Sequence, residues 1–352
     1  MKSKKRKLAI IIAAAVVLVL GIAALVLVRQ FKTFTDPYHE KVAAAGFEEK
    51  QAQIGGVSFN YAEGPDNGPA LLLLHAQHMG WFSFSRVLPE LSRDFHVFAV
   101  DYHGHGKTSA PPESMNANQI GANLAAFIET VIGGPVFVSG NSSGGVLTAW
   151  LAANRPELVK AIVLEDPALF SSEYPRLLDT IADRSFAICS DYLESGENDF
   201  LLYWIEGCRA FFKKQLGFNA APLLTATVNA YKNSNPGKPV ELAFLPPTIR
   251  LMMRGMGLYD PQFGAAFHEG RWNEGFDHAE ALAKIQCPAL LLHANFETLE
   301  DGTFYGAMDQ SEADRAVALI PGAKYMRIDS DHVIHLAQPE NFVRILREFF
   351  LP

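Results

Sequence analysis

The sequence is poor in cysteine, with three in 352 residues. An odd and sparse set of this kind does not build a disulfide framework, although it leaves a single bridge open. Cys189, Cys208 and Cys287 also lack the CxxC or histidine-paired spacing that metal and thiol sites use. We therefore expect neither a metal nor a cofactor.

The sequence also lacks an excess of positive charge beyond its first seven residues. Five of the 30 basic residues lie in residues 1–7, which leaves 25 basic against 38 acidic residues and a net charge of −13 in the remainder. Such a balance disfavours nucleic acid and anionic lipid as partners of this part of the chain. A glycine-rich phosphate loop is missing too, since Gly104-His105-Gly106 follows a predicted strand but opens no clear helix.

One long apolar run is present, and it extends from Leu8 to Val28 without a charged residue. It has the length of a helix that spans a bilayer. The run exceeds the core of a cleaved signal peptide, and no small-x-small site follows its end. Because the heavier positive cluster precedes it, we predict a cytoplasmic tail at residues 1–7, an uncleaved transmembrane anchor at 8–28 and an extracytoplasmic remainder of a single-pass cell-membrane protein. Residues 29–55 are predicted to form a juxtamembrane stalk, with helical potential over 37–51.

From residue 56 onward, short apolar runs alternate with amphipathic helical stretches. Uninterrupted Val, Leu, Ile and Phe runs are typical of strands buried on both faces, and strand–helix alternation indicates a mainly parallel α/β sheet. Residues 168–284 break this alternation with several helix-like stretches rich in Phe, Tyr, Leu and Met. We interpret them as a helical lid inserted into a core of residues 56–167 and 285–352. The predicted strands are 57–62, 70–75, 95–101, 135–139, 161–165, 289–293 and 324–329.

The pentapeptide Gly140-Asn141-Ser142-Ser143-Gly144 lies between a predicted strand and a predicted helix. A Gly-x-Ser-x-Gly sequence in this position is typical of a nucleophile elbow, a tight turn that exposes one serine hydroxyl at the edge of a sheet. The two glycines allow the backbones of strand and helix to approach closely, and the serine occupies a strained region of φ/ψ. The pattern therefore predicts that Ser142 is a nucleophile.

Three further motifs accompany this pentapeptide. Leu71 to Gln77 looks like a strand that ends in His-Gly, with Ala76 in the place of glycine, and Asp101 to Ser109 looks like an Asp-x-x-Gly-x-Gly-x-Ser segment. Asp331 to His335, followed by Pro339, looks like a Gly-His-x-x-His ending. With these motifs in order, residues 56–352 resemble the α/β-hydrolase fold, in its branch with a helical cap. The resemblance implies an α/β fold with a mostly parallel sheet and a lid inserted after the sixth strand of the family's usual count.

The resemblance also implies roles for individual residues. A nucleophile, a base and an orienting acid are needed. Ser142 matches the nucleophile, and His332 matches the base because it follows the last predicted strand. His335 matches the family's second, packing histidine. The backbone N–H groups of Gln77 and Ser143 match the two donors of the oxyanion hole.

Three carboxylates compete for the role of the acid. The family usually takes the acid three residues after a glycine that ends the seventh strand. Ala294 stands in the place of that glycine, and counting forward leads to Glu297. A minority of lidded members take the acid just after the sixth strand, where this chain offers Glu165 and Asp166. We expect Glu297, with Asp166 and Glu165 as alternatives.

Together these features predict a membrane-anchored serine hydrolase that cleaves an ester, a thioester or an amide through an acyl-enzyme. A carboxylic ester is the favoured class, and an aromatic-rich lid favours an apolar small-molecule acyl substrate. Two alternatives stay open. One is a tethered sensor or scaffold with a hydrolase fold and no turnover, and the other is a lyase or acyltransferase that uses the same three residues.

Overall fold

The computed structural model describes residues 34–351, together with residues 18–19 and 21–22. Among these described residues, no helix combines the length and the apolar character needed to cross a membrane. Apart from those four residues, the predicted anchor at 8–28 lies outside the described part of the chain, as does the predicted tail at 1–7.

An eight-stranded, mostly parallel sheet forms the centre of the fold. Its strand order is β1-β2-β4-β3-β5-β6-β7-β10, and a separate hairpin consists of β8 and β9. The β1–β2 and β2–β4 pairs are antiparallel, and the other neighbours in the large sheet are parallel. The strands are β1 (Glu48–Ile54), β2 (Val57–Glu63), β3 (Ala70–Leu74), β4 (His96–Asp101), β5 (Val136–Asn141), β6 (Val159–Glu165), β7 (Ala289–His293), β8 (Glu297–Thr298), β9 (Phe304–Tyr305) and β10 (Lys324–Arg327).

Helices cover the sheet and connect its strands. The α-helices of residues 34–351 are α1 (Tyr38–Ala44), α2 (Leu88–Leu91), α3 (Ala117–Phe127), α4 (Ser143–Asn154), α5 (Ile181–Ser195), α6 (Phe200–Gly207), α7 (Arg209–Leu216), α8 (Ala221–Ser234), α9 (Pro247–Met256), α10 (Pro261–His268), α11 (His278–Lys284), α12 (Gln310–Leu319), α13 (Ile334–Ala337) and α14 (Pro339–Phe350). A 3₁₀ helix at Trp81–Arg86 precedes α2.

The central strands of the sheet are buried on both faces, as the apolar runs predict. Successive residues of a strand point to opposite faces. Accordingly, Leu72 and Leu74 of β3 belong to one buried apolar cluster and Leu71 and Leu73 to another, and all four are fully buried. Continuous apolar strands are therefore required here, and the predicted parallel α/β sheet is confirmed.

Between β6 and β7 the chain leaves the sheet and forms helices α5 to α10. We call residues 168–284 the helical insertion; it also contains α11, which packs against α4. The predicted helical stretches of this region are present. Two short helices were not predicted, α10 at Pro261–His268 and α11 at His278–Lys284.

The predicted stalk is wrong for the residues that the structure describes. Helix α1 ends at Ala44 rather than near residue 51, and residues 48–54 form β1, which pairs along its whole length with β2. The folded core therefore begins before residue 56. The sequence of β1 is largely polar because this strand lies at the edge of the sheet and exposes much of its surface.

Candidate active site

Ser142 lies at a strained turn between β5 and α4. Its backbone has φ of +56° and ψ of −121°, a region that is rare for residues other than glycine. A Cβ on Gly140 would lie 2.2 Å from the Gly144 carbonyl oxygen, and a Cβ on Gly144 would lie 2.4 Å from that of Leu74. Only glycine fits at both positions, so the pentapeptide has the close backbone approach that its pattern predicts.

The end of β6 holds this turn in place. The Ser142 N–H donates to the Glu165 carbonyl oxygen at 3.1 Å, and the Asn141 side-chain amide donates to the same oxygen at 3.0 Å. The Asn141 amide also donates to the His332 carbonyl oxygen at 3.1 Å. The loop that carries His332 is thereby tied to the turn that carries Ser142.

His332 forms its carboxylate contact with Asp166. The Nδ1 atom of His332 lies 2.6 Å from Oδ2 of Asp166, and the other carboxylate oxygen accepts the backbone N–H of Ala294 at 2.9 Å. Asp166 is buried and has φ of +41°, in the left-handed region that is uncommon for residues other than glycine. The Ala294 N–H thus holds one oxygen of this carboxylate while the other oxygen contacts the imidazole.

The pKa of His332 reflects two opposing causes. Burial lowers the pKa of the imidazole, but the hydrogen bond to Asp166 and the negative charge of that carboxylate raise it, and the pKa lies above its ordinary value. The negative charge of Glu165 acts in the same direction. The environment therefore stabilises the protonated form of His332, as a base that accepts a proton requires.

Glu297, the acid expected from spacing, does not reach His332. It is exposed, begins β8 and forms an ion pair with Lys214 of α7. The position beside His332 Nδ1 is filled by Asp166, because the chain after β7 donates the Ala294 N–H to that carboxylate and then turns away into the β8–β9 hairpin. The carboxylate beside His332 is therefore Asp166, one of the two alternatives, and not the expected Glu297.

Glu165 is also separated from His332, since it binds His335. Both carboxylate oxygens lie 2.9 Å from His335 Nδ1, and one of them accepts the His335 backbone N–H at 2.8 Å. Glu165 and His335 are fully buried. This pair anchors the start of α13 immediately after the loop that carries His332.

A cavity of about 680 Å³ opens beside Ser142, between the core and the helical insertion. Ser142, Ser143, Gln77 and His332 all line it, so the predicted nucleophile, base and oxyanion residues share one space. Ser143 is the first residue of α4, where helix N–H groups lack intrahelical partners. Large apolar side chains of the insertion also line the cavity: Leu177, Ile181, Phe186, Trp204, Phe211 and Ile249.

Two tyrosines that contact these groups were not among the predicted site residues. The Tyr102 hydroxyl lies 2.8 Å from Ser143 Oγ and donates to the His75 carbonyl oxygen at 3.1 Å. Tyr259 accepts a hydrogen bond from the Gln77 side chain. Tyr102 lies within the Asp101–Ser109 motif, which could have drawn attention to it, whereas Tyr259 lies in the insertion, 182 positions away from Gln77.

Comparison with known proteins identifies the family of this chain. A sequence model of the alpha/beta hydrolase family matches residues 71–345. The chain belongs to the alpha/beta hydrolase family. This alpha/beta hydrolase is 23% identical over 307 residues to pyrrolizixenacetamide deacetylase of Xenorhabdus hominickii, a match that covers 86% of this chain and 97% of the deacetylase. It is 37% identical over 110 residues to lipase LipV of Mycobacterium tuberculosis, covering 30% of this chain and 40% of the lipase.

Two solved structures show the same fold as this alpha/beta hydrolase. A membrane phospholipase A described as a bacterial virulence factor has a TM-score of 0.59 at 22% identity, covering 99% of this chain and 98% of the phospholipase. An E-2-(acetamidomethylene)succinate hydrolase has a TM-score of 0.60 at 19% identity, covering 86% of this chain and 99% of that hydrolase. At such identities the likeness is one of fold.

Proposed function

We propose that this alpha/beta hydrolase is a serine hydrolase with a Ser142–His332–Asp166 triad. The observation that carries the proposal is the 2.6 Å contact between His332 Nδ1 and Asp166 Oδ2, in a loop tied to the strained turn of Ser142. A histidine that donates Nδ1–H to a buried carboxylate keeps Nε2 free to accept a proton. Ser142, on the wall of the same cavity, supplies that proton.

In the proposed mechanism, Ser142 Oγ attacks the acyl carbon while His332 Nε2 removes the hydroxyl proton. Asp166 stabilises the resulting imidazolium, and His332 returns the proton to the leaving group. The backbone N–H groups of Gln77 and Ser143 receive the oxyanion, and the positive end of the α4 dipole favours negative charge there. Water, activated by His332, then attacks the acyl-enzyme and releases the acid.

The proposed substrate is an apolar small molecule with an ester, thioester or amide bond. The apolar lining of the cavity supports an apolar acyl or aromatic group. The names of two relatives, a deacetylase and a lipase, support an acyl bond of this kind as the target. Carboxylic esters remain the first class to test.

The helical insertion is proposed to act as a lid, and the apolar segment 8–28 as the membrane anchor. Residues of the insertion form much of the cavity wall, which supports the first proposal. The absence of charge from 8–28 supports the second, and one solved structure of similar fold is a membrane phospholipase A. The cavity would then lie outside the cytoplasm; on intact cells, external protease should digest the folded part.

A fluorophosphonate probe tests the proposed nucleophile, because it phosphonylates only an activated serine. We expect the full-length protein in detergent to be labelled, and Ser142→Ala to abolish labelling. Ser139→Ala is the matched control: this serine lies in β5 beside the turn, and its hydroxyl has no hydrogen-bond partner among the described residues. An unlabelled wild-type protein would instead favour the tethered sensor, and labelling that survives Ser142→Ala would exclude this serine.

A further inference from the structure

The loop that carries Gln77 is contacted from three directions by the helical insertion. We call residues 76–79 the oxyanion loop, because the proposed mechanism takes an oxyanion donor from it. It follows β3 in the core, and its residues line the cavity. Each of the contacts described below joins it to a residue between 168 and 284.

The first contact involves Tyr259, which lies between α9 and α10. The Gln77 side-chain amide donates to the Tyr259 hydroxyl at 2.5 Å, and Tyr259 is buried. Burial raises the pKa of Tyr259 well above its ordinary value, so the hydroxyl stays neutral. The Tyr259 ring also packs edge-on against His78, with 5.1 Å between ring centroids. One insertion residue thus holds two neighbouring loop residues.

The second contact is made by Ser185 of α5. Its hydroxyl lies 3.3 Å from His78 Nε2 and accepts the Trp204 indole N–H at 2.7 Å. Burial lowers the pKa of His78 to about 3, so the imidazole is neutral and can accept the serine proton. His78 has φ of +65°, a left-handed conformation that needs external support in a residue other than glycine.

The third contact is between backbones. Gly255 of α9 lies against the oxyanion loop so closely that a Cβ there would lie 2.1 Å from the His78 carbonyl oxygen and 2.7 Å from Met79 Cα. These are backbone atoms, which cannot rotate away as a flexible side chain could. The position therefore requires glycine, and α9 sets how far the loop can move toward the insertion.

We propose that the helical insertion positions the oxyanion loop, with Tyr259 and Ser185 as positioning residues and Gly255 as the point of backbone contact. This inference rests on the proposed function and extends it from the core to the insertion. The insertion then does more than enclose the substrate. Its docking completes the oxyanion hole, and any movement of α5 and α9 away from the core would remove support from the Gln77 N–H.

Tyr259→Phe is the decisive variant, because it removes only the hydroxyl that binds Gln77. The oxyanion forms in the transition state, so a displaced donor lowers kcat and leaves KM nearly unchanged. We expect kcat for a soluble short-chain ester to fall about tenfold or more, up to the roughly 10²–10³-fold loss that follows removal of a whole oxyanion donor. KM should stay within about twofold of the wild-type value.

Tyr231→Phe is the matched control. Tyr231 of α8 is buried in the same insertion, and its hydroxyl binds the backbone of Glu241 rather than the oxyanion loop. Both variants remove one buried, hydrogen-bonded tyrosine hydroxyl and should show similar decreases in thermal stability. Only Tyr259→Phe should have a lower kcat than the wild type.

A pair of glycines gives an independent test. Gly255→Ala should lower kcat more than Tyr259→Phe, since its Cβ displaces the loop backbone. Gly257→Ala should keep the wild-type kcat, because its Cβ would meet the nearest atom, the Arg254 carbonyl oxygen, at an ordinary 3.4 Å. Should Gly255→Ala fail to fold, the tyrosine pair decides the question.

Equal kcat values for Tyr259→Phe, Tyr231→Phe and the wild type would overturn the positioning role. An equal loss in both tyrosine variants would also overturn it, since it would reflect stability alone. A wild-type protein that neither turns over esters nor reacts with fluorophosphonate would contradict the proposed function itself. These outcomes separate the failure of the inference from the failure of the function.

Discussion

At the scale of single residues, Asp166 links the chain just after β6 to the end of β7 and to the loop that carries His332. Its N–H donates to the Leu292 carbonyl oxygen at 2.8 Å, and its carboxylate binds both the Ala294 N–H and His332. The side chain is therefore held in position before any substrate arrives. A carboxylate oriented in this way fixes the tautomer of the imidazole, which determines whether Nε2 can accept the serine proton.

Asp166→Asn and Glu297→Gln form a matched pair of variants that distinguishes the two carboxylates. We expect Asp166→Asn to lower kcat/KM by about 10³–10⁴-fold, because the neutral amide neither holds the correct tautomer nor stabilises the imidazolium. Glu297→Gln should change kcat/KM by less than about threefold, since Glu297 forms an exposed ion pair with Lys214, which contributes little to stability, and does not reach His332. Steady-state kinetics with one ester measures both, and a larger loss in Glu297→Gln would reverse the assignment.

The residues of the site differ in how far the sequence could predict them. Ser142 and His332 are marked by local patterns, a pentapeptide and a position after the last strand. The acid is not, because carboxylates follow both β6 and β7 and spacing alone favoured Glu297. What decides between them is the backbone of Asp166 and the path of the chain after Ala294, neither of which appears as a sequence pattern.

At the scale of secondary-structure elements, residues 34–39 attach the start of the described chain to the helical insertion. Asp36 forms an ion pair with Arg250 of α9 at 2.8 Å, and the Asp36 side chain is 3% exposed. The Asp36 N–H and the His39 imidazole both bind Glu241, at 2.9 and 2.7 Å. The segment that follows the predicted anchor is thereby joined to the helix whose Ile249 lines the cavity.

Breaking this attachment should reduce stability more than breaking an exposed ion pair. Arg250→Ala leaves the buried Asp36 carboxylate without its partner, and we expect the free energy of unfolding to fall by about 3–5 kcal/mol. Arg344→Ala removes an exposed pair with Glu348 and should cost less than about 1 kcal/mol. Urea unfolding of the two variants tests this, and equal losses would show that residues 34–39 do not stabilise the fold.

Elements were predictable where their burial produced a pattern. Strands β3 to β7 are apolar runs because both of their faces are covered, and they lie where the sequence predicts them. Strand β1 escaped prediction because its sequence is largely polar and contains no such run. The short helices α10 and α11 escaped because eight or fewer residues carry too little periodicity.

At the scale of the whole molecule, the fold buries several histidines in neutral form. Burial lowers the pKa of His75, His78 and His278 to about 3 and that of His103 to about 4, and it lowers that of His105 well below its ordinary value. Each of these groups binds a proton when the chain unfolds in mild acid. Groups with a raised pKa oppose them: burial raises the pKa of Asp101 to about 6, and Asp166 raises that of His332. Burial also raises the pKa of Glu173, Asp260 and Glu312.

The free energy of unfolding should consequently decrease as the pH falls below about 6.5, the ordinary pKa of histidine. Between that pH and about 4, the unfolded chain binds more protons than the folded protein, and each buried histidine contributes up to about 1.4 kcal/mol per pH unit. Urea unfolding at pH 7 and pH 5.5 measures the difference. His103→Gln should make the dependence shallower, whereas a protein equally stable at both pH values would contradict the neutral burial of these histidines.

The sheet, the turn at Ser142 and the helical insertion together place Ser142 and His332 on the wall of one largely apolar cavity. Transient acylation of Ser142 is the step on which the proposed mechanism depends. Rapid quenching of the full-length protein with a p-nitrophenyl ester, followed by peptide mass spectrometry, measures it directly. The proposal predicts an acyl adduct on Ser142 that accumulates and decays during turnover; turnover without an adduct there, or an adduct on another residue, would contradict it.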